Sequence, residues 1–290
     1  MPKMLTLEEV TFLAAKGELL GEYDNIPEEV YHEGPGVSRS DLSKLLKSPE
    51  HLDHYKATVF KDTPAFVIGT ALHCYVLEPK KFNKNYVCMP EGMTRKQKAY
   101  GILLNELEEH QKLLSFNDME KVIAMGEKFK AHPVCAEFLK GAKFEVTYYW
   151  LDPKTKTLLK ARLDIVHPTL GVMDLKSTSG DARRTEFSRA CLKYNYDLQA
   201  AHYWYGAAVA QKKDYPFYFG VIESSEPHGV VVHKADLGFI ECGLEIQEFL
   251  LDKLDAYTKG TIPYSYPEEV VSLALPPWGY DLDSRLERRE

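Results

Sequence analysis

Two periodicities divide this chain of 290 residues. Up to about residue 140 the apolar positions recur at helical spacing; beyond it they gather into β-branched and aromatic runs bounded by Gly, Pro and Asp. In "GPGVSRSDLSKLLKSPEHLDHY" a Gly/Pro turn leads to Ser38 or Ser40 as N-cap, Asp41 in the first turn, and a short helix ending before Pro49. "AFVIGTALHCYVLEP" carries Phe66, Leu72, Tyr75 and Val76 at helical spacing and stops at Pro79. "TRKQKAYGILLNELEEHQKLL" and "FNDMEKVIAMGEKFKAH" predict two amphipathic helices. Strands follow at "KFEVTYYWLD", "TLLKARLDIVH" and "GVMDLKST", then at "PFYFGVIES" and "GVVVHKAD". Between the third and fourth, "RRTEFSRACLKYNYDLQAAHYWYGAAVAQKK" predicts one broken helix or two consecutive ones, with Leu198, Ala201, Tyr205 and Val209 as an apolar stripe. "GFIECGLEIQEFLLDKLDAYTKG" predicts a final helix before the Pro-rich tail "YPEEVVSLALPPWGYD". This order predicts a single α/β domain, with a mainly helical part over 1–140, the core over 141–260 and a tail over 261–290.

Composition narrows the class. The 44% hydrophobic and 27% charged content is that of a water-soluble globular chain. No apolar run reaches the roughly 18–20 residues of a membrane span, and the N-terminus lacks a signal-peptide layout, so a cytoplasmic protein without membrane contact is expected. Cys74, Cys88, Cys135, Cys191 and Cys242 form no CxxC pair, which leaves neither a zinc knuckle nor an iron–sulfur cluster and predicts reduced thiols. A net charge of −7 argues against a general nucleic-acid coat. Locally the balance reverses: from Lys154 to Lys193 lie Lys154, Lys156, Lys160, Arg162, Lys176, Arg183, Arg184, Arg189 and Lys193, against Asp164, Asp174, Asp181 and Glu186. A basic strip on an acidic body suits an enzyme that grips a polyanion at one place.

The second and third strands are joined by "HPTLG", a hairpin turn containing Pro168 and Gly171. Symmetry about Thr169 sets Asp164 opposite Asp174, with Cβ atoms roughly 4.5–5.5 Å apart. Like charges repel at that distance, so protonation of one, a cationic neighbour or a divalent metal must offset them. Strand alternation puts Asp174 and Lys176 on one face and turns Met173 and Leu175 into the core. Two acids and a lysine on one face can hold Mg²⁺ and place a water beside a scissile phosphate. The same spacing also describes a surface Asp–Lys pair on a half-exposed strand.

"ARLDIVHPTLGVMDLKST" followed by "YDLQAAHYWYG" resembles the PD-(D/E)xK nucleases, and among them the RecB-like branch, whose signature adds a Gln-x3-Tyr helix. Here that pair is Gln199 and Tyr203, one helical turn apart. "YHEGPGVSRSDLSKLLKSPEHLDHY", "IGTALHCYVLEPKKF" and "LALPPW" are similar to the nuclease domain of RecE-type exonucleases (exonuclease VIII), so the resemblance runs over residues 22–279. It implies a restriction-endonuclease-like core: a central mixed β-sheet flanked by helices, with a helical N-terminal part. It further implies that Asp164, Asp174, His73 and the Leu175 carbonyl hold metal and that Lys176 is the catalytic lysine. Glu145 becomes an additional ligand or a water-mediated one, and Gln199 and Tyr203 meet the DNA end or scissile phosphate. Arg162, Arg183, Arg184, Arg189 and Lys193 become backbone-phosphate contacts. The implied cofactor is Mg²⁺, with Mn²⁺ as a substitute. The implied activity is processive 5′→3′ digestion of linear double-stranded DNA, in a ring-shaped homotetramer, for a RecT-like annealing partner of prophage type. "ARLD" departs from the pattern by lacking a Pro or Gly before the first aspartate, and the cysteine cluster of iron–sulfur members is absent. A structure- or sequence-specific endonuclease, or a noncatalytic DNA-binding or assembly protein, shares the same core.

Overall fold

The computed structural model describes residues 3–58 and 63–275. Its first part comprises α1 (Leu7–Ala15), β1 (Gly21–Tyr23), α2 (Glu28–Glu33), α3 (Arg39–Leu45), α4 (Pro49–Ala57), α5 (Pro64–Leu77), α6 (Pro79–Asn85), β2 (Tyr86–Cys88), α7 (Lys98–Glu106), β3 (Lys112–Leu114), α8 (Phe116–Ala131) and α9 (Pro133–Leu139). The second comprises β4 (Lys143–Leu151), β5 (Leu158–His167), β6 (Gly171–Thr178), α10 (Arg184–Tyr194), α11 (Tyr196–Gln211), β7 (Phe217–Glu223), β8 (Val230–Lys234) and α12 (Leu237–Thr258). Among the described residues no helix is long and apolar enough to cross a membrane.

Six strands form one mixed sheet in the order β1-β4-β5-β6-β7-β8. Every neighbouring pair is antiparallel except β6 and β7, whose parallel pairing needs the crossover that α10 and α11 supply. Helices cover both faces. Leu42, Leu52, Phe187, Leu198 and Leu250 pack from α3, α4, α10, α11 and α12 against Tyr148, Trp150, Leu163 and Phe217. On the other face Leu72, Phe129 and Phe138 pack from α5, α8 and α9 against Ile165, Met173 and Leu175. Trp150, Tyr148 and Phe129 are each at most 1% exposed; burying side chains of this size contributes about 1.5–3 kcal/mol apiece.

Local signals explain where the helices begin. Ser38 caps α3 by accepting the Asp41 N–H, while the Asp41 carboxylate accepts the Ser38 N–H in return. Ser48 and Thr63 cap α4 and α5, each followed by a proline at the first helical position. Asn195, in the left-handed conformation at φ 53°, separates α10 from α11, so the long crossover is two helices.

Two expectations are corrected. The stretch from Thr94 to Leu114 is helical only over α7; Lys112–Leu114 pairs in parallel with β2 instead, and Leu114 is buried against Phe82 and Val122. Burial of one leucine in a strand pair there overrides the helix propensity of the surrounding Leu/Glu-rich sequence. The stripe expected on α11 does not include Val209, which is 44% exposed; Ala210 and Gln211 carry the contact with the sheet instead, Ala210 against the core and Gln211 donating to Tyr148. The "LALPPW" resemblance falls partly on residues 276–278, outside the described residues.

The sheet is interrupted at one place. In β4, Val146, Tyr148 and Trp150 join one core while Phe144 turns to the other; in β5, Leu159, Ala161 and Leu163 join the first and Ile165 the second. A regular strand keeps residues two apart on one face. The switch falls on Glu145 and Asp164, which the register on either side places opposite each other, and Glu145 has φ 52°. Across the hairpin His167 pairs with Gly171 and Ile165 with Met173, which is the expected symmetry about Thr169, but the ladder ends before the aspartates. At the turn, Gly171 has φ +121°, and a Cβ there would lie 2.2 Å from the Pro216 carbonyl oxygen. Gly171→Ala is therefore expected to lower stability, measured by denaturant midpoint, by more than the roughly 1–3 kcal/mol of backbone strain alone. Gly17→Ala, at φ +71° with nothing within 4 Å, should show the strain component only.

Candidate active site

The break in the sheet collects the charged residues of β4, β5 and β6. Freed from ladder pairing, the Asp164 carboxylate accepts the Leu175 N–H at 2.8 Å through Oδ2. The same oxygen lies 3.5 Å from His73 Nδ1, presented by α5. Glu145 completes a cluster in which one donor atom each from His73, Glu145 and Asp164 lies within 4.8 Å of the others. Arg162, two residues before Asp164 on β5, holds Glu145 with Nε at 2.8 Å from Oε2 and donates from its terminal nitrogen to the Ile26 carbonyl. Burial pushes the Asp164 carboxyl up to about 7; nearby Asp174 and Glu145 add to the rise, and His73 and Lys176 oppose it. One imidazole nitrogen and two carboxylate oxygens converging in a partly buried, electron-rich pocket fit a hard or borderline divalent cation such as Mg²⁺ or Mn²⁺.

Beside this cluster lies a second one, reached through the same strand. Asp174, 1% exposed, is paired with Lys176 at 2.6 Å through Oδ2 and accepts Gln199 Nε2 at 2.8 Å on Oδ1. The other end of the Gln199 amide accepts Arg39 at 2.7 Å. A carboxamide can donate only through its nitrogen, so a cation on its oxygen fixes which end faces Asp174. Burial works against the Lys176 ammonium, yet Asp174 and Asp164 outweigh it and raise its pKa, so this lysine is charged at neutral pH. Its Nζ also stands 4.9 Å from the centre of the Tyr196 ring.

A cleft of about 700 Å³ opens onto the first cluster, lined by His73, Glu145, Asp164, Arg39, Arg162 and Tyr203 among others. The structure thus brings His73, Glu145, Asp164, Asp174, Leu175, Lys176 and Gln199 together, with Tyr203 on the cleft wall. The Tyr203 hydroxyl is pushed up to about 12, by burial first and by Asp174 next, so it is a neutral donor. Leu175 enters the site through its N–H. Gln199 spends both amide ends inside the protein. Cys74 also lines the cleft, but burial pushes its thiol up to about 12, which removes it as a nucleophile.

The remaining cations sit elsewhere. Arg162 is turned inward to Glu145, and Lys160 is buried with its ammonium on the Tyr31 and Gly34 carbonyls. Arg183 and Arg189 are exposed and paired with Asp181 and Glu186, and Arg184 and Lys193 are exposed. None of these four lines the cleft. The expected strip is therefore dispersed: Lys160 and Arg162 turn inward from one face of β5, Arg183 and Arg189 pair locally, and Arg184 and Lys193 stand exposed on α10. Arg39 escaped the sequence reading: it lies 160 residues from Gln199, and as the first residue of α3 it shows only a capping pattern.

The comparisons with known proteins agree with this architecture. Residues 38–269 match the family described as a PDDEXK-like domain of unknown function (DUF3799). No curated protein matches the sequence. Among solved structures the chain is similar to the crystal structure of a candidate exonuclease from Eubacterium rectale, with a TM-score of 0.59 and 11% identity, over 88% of this chain and 95% of the other. At that identity the likeness is one of fold. With four-fifths of its length inside the family match and its acids and lysine gathered at the break in the sheet, this chain belongs to the PDDEXK-like domain family.

Proposed function

We propose that the chain is a divalent-metal-dependent deoxyribonuclease that digests linear double-stranded DNA from its ends. One observation carries this: the His73–Glu145–Asp164 cluster and the Asp174–Lys176 pair meet at a single break in the sheet, beside a cleft. His73, Glu145 and Asp164 would hold Mg²⁺, or Mn²⁺ in its place, whose chemistry when bound is to polarise a phosphate and lower the pKa of a water. Lys176, kept charged by its carboxylate neighbours, stabilises negative charge developing on the phosphorus oxygens. Asp174 aims that ammonium, and Gln199 with Arg39 holds Asp174 still. Tyr203 supplies a neutral hydroxyl that donates to a phosphate oxygen. A water oxygen bonds to phosphorus, the bond to the 3′ oxygen breaks, and the products are a 3′-hydroxyl and a 5′-phosphate.

The sequence resemblance to RecE-type exonucleases extends the proposal to processive 5′→3′ digestion that leaves a 3′ strand for a RecT-like partner. It also extends it to a ring-shaped homotetramer. A net charge of −7 is compatible with a ring that meets DNA in its channel rather than on its outer surface.

The first experiment is Mg²⁺-dependent nucleotide release from end-labelled linear duplex, beside a covalently closed circle. Loss from the 5′ ends of the linear substrate alone, abolished in Lys176→Ala, is expected; nicking of the circle points to an endonuclease, and cleavage of neither removes the nuclease reading. Arg39→Ala should lower kcat by roughly tenfold or more, about 1.4 kcal/mol in the barrier, with a smaller change in KM. Arg39→Lys, which keeps a donor on the Gln199 amide, should recover part of the loss. For metal-free protein the Asp164 carboxyl, raised to about 7 in the fold, binds a proton that the unfolded chain, with an ordinary pKa near 4, has released. Its contribution to stability is thus present below about pH 4 and lost as pH rises through about 7. Melting scans should show this decline flattened in Asp164→Asn, and added Mg²⁺ should raise Tm more at pH 8 than at pH 5.

A further inference from the structure

Between β2 and β3 the chain leaves the body for an excursion of Met89–Gln111 that contains α7. Its root is part of the cleft wall: Asn85 and Tyr86 on one side and Glu109, His110 and Lys112 on the other line the cavity that holds His73 and Asp164. Its outer part is built unlike the rest of the fold. α7 buries none of its nine residues, and Ile102 and Leu104 are 60% and 42% exposed. Just before and at the start of the helix, Arg95, Lys96 and Lys98 are all exposed, and none forms an ion pair with a described residue. Arg183, Arg189, Lys154 and Lys259 have carboxylate partners, whereas exposed Lys47, Arg184 and Lys193, like Arg95, Lys96 and Lys98, form no ion pair with a described residue. From Met93 to Tyr100 there is no acid at all.

A helix that buries no side chain is not retained for packing, since isolated helices of this length are marginal in water. Three cations without an ion-pair partner therefore belong to an excursion whose root lines a cleft with catalytic-type carboxylates, Lys98 on α7 itself and Arg95 and Lys96 just before it. Glu145 and Asp164 in the cleft repel a phosphate chain, so cations outside it add to Arg39 within it in attracting the strands that lead in. We infer that this excursion is an arm that grips the DNA backbone outside the active site, with Arg95, Lys96 and Lys98 as its phosphate contacts. The inference rests on the nuclease reading and adds to it where the duplex lies: across α7, entering past Tyr86 and Lys112. Contacts of this kind fix register on the duplex without reading bases.

The test uses the full chain and the triple variant Arg95→Gln, Lys96→Gln, Lys98→Gln. Binding of a labelled linear duplex is titrated without divalent metal over a range of salt. Each lost phosphate contact should lower the slope of log K against log salt by about 0.9, so the variant should lose up to about 2.7 in slope. Hydrolysis of a small p-nitrophenyl ester of thymidine monophosphate, which cannot reach the arm, should be unchanged, as should Tm. An unchanged slope overturns the arm. Equal loss on duplex and small ester also overturns it, because the substitutions would then be acting on the cleft itself. A shift in oligomeric state with an unchanged slope would assign α7 to contact with a second copy and overturn the DNA contact. Wild-type protein that binds no duplex and hydrolyses no ester overturns both the arm and the nuclease reading; wild-type binding and cleavage with an insensitive variant overturns the arm alone.

Discussion

The hydrogen bond from the Leu175 N–H to the Asp164 carboxylate is the contact on which the site is built. A sheet must satisfy each buried N–H, normally by a ladder partner, and an orphan costs about 1–3 kcal/mol. Between β5 and β6 the ladder stops at Ile165 and Met173, and one carboxylate oxygen takes over where the next backbone partner would stand. Asp164 is thereby fixed by the fold's own need for pairing. Its neighbour across β4, Glu145, adopts a left-handed backbone that non-glycine residues rarely visit. Strain of about 1–3 kcal/mol at such a residue persists only where the surroundings over-determine it, and here Arg162 anchors its side chain to Ile26 and Thr147.

Three carboxylates in so small a space set the electrostatics. Each is matched by a cationic or potentially cationic group from a different element: Glu145 by Arg162 of β5, Asp174 by Lys176 of β6, Asp164 by His73 of α5. The matches are unequal. Arg162 and Lys176 are charged ion-pair partners, whereas His73 at 3.5 Å offers a nitrogen that is cationic only when protonated. Burial holds the Asp164 carboxyl well above the ordinary carboxylate range, and it faces the cleft together with Glu145. A site organised this way keeps its least-compensated charge where an incoming cation would stand, and keeps its best-compensated pair, Asp174 with Lys176, behind it.

The core elements were legible because each carries a local signal. Period-two runs marked β4 to β8, Pro49 and Pro79 marked helix boundaries, and the symmetric turn about Thr169 marked the hairpin register. Asp164, Asp174 and Lys176 were singled out from that register, and Gln199 and Tyr203 from the resemblance to the RecB-like signature. What escaped notice depends on tertiary placement. Arg39 meets Gln199 across 160 residues of chain, and nothing in "GVSRSDL" separates it from an ordinary first-turn arginine. β3 owes its extended form to Leu114 finding a pocket beside Phe82. The continuity of the basic strip was not legible for the opposite reason: a count along the sequence cannot tell that Lys160 and Arg162 point inward while Arg183 and Arg189 are already paired.

The redistribution of those cations bears on how an acidic protein can handle a polyanion. If the strip had been a continuous exposed surface, its field would attract any nucleic acid wherever it touched, in or out of register with the active site. Cations turned inward instead spend their charge on aiming carboxylates, as Arg162 and Lys176 do, and contribute little attraction at a distance once neutralised by partners within 3 Å. On the proposed function, attraction is then left to Arg39 within the cleft and to Arg95, Lys96 and Lys98 of the excursion whose root lines it. Low-dielectric walls focus such a field along the cleft while the net charge of −7 repels phosphates from the remaining surface. On the proposed function, the placement of a few charges separates productive from unproductive encounters, because the buried pairs that order the catalytic-type residues also take their cations off the outer surface.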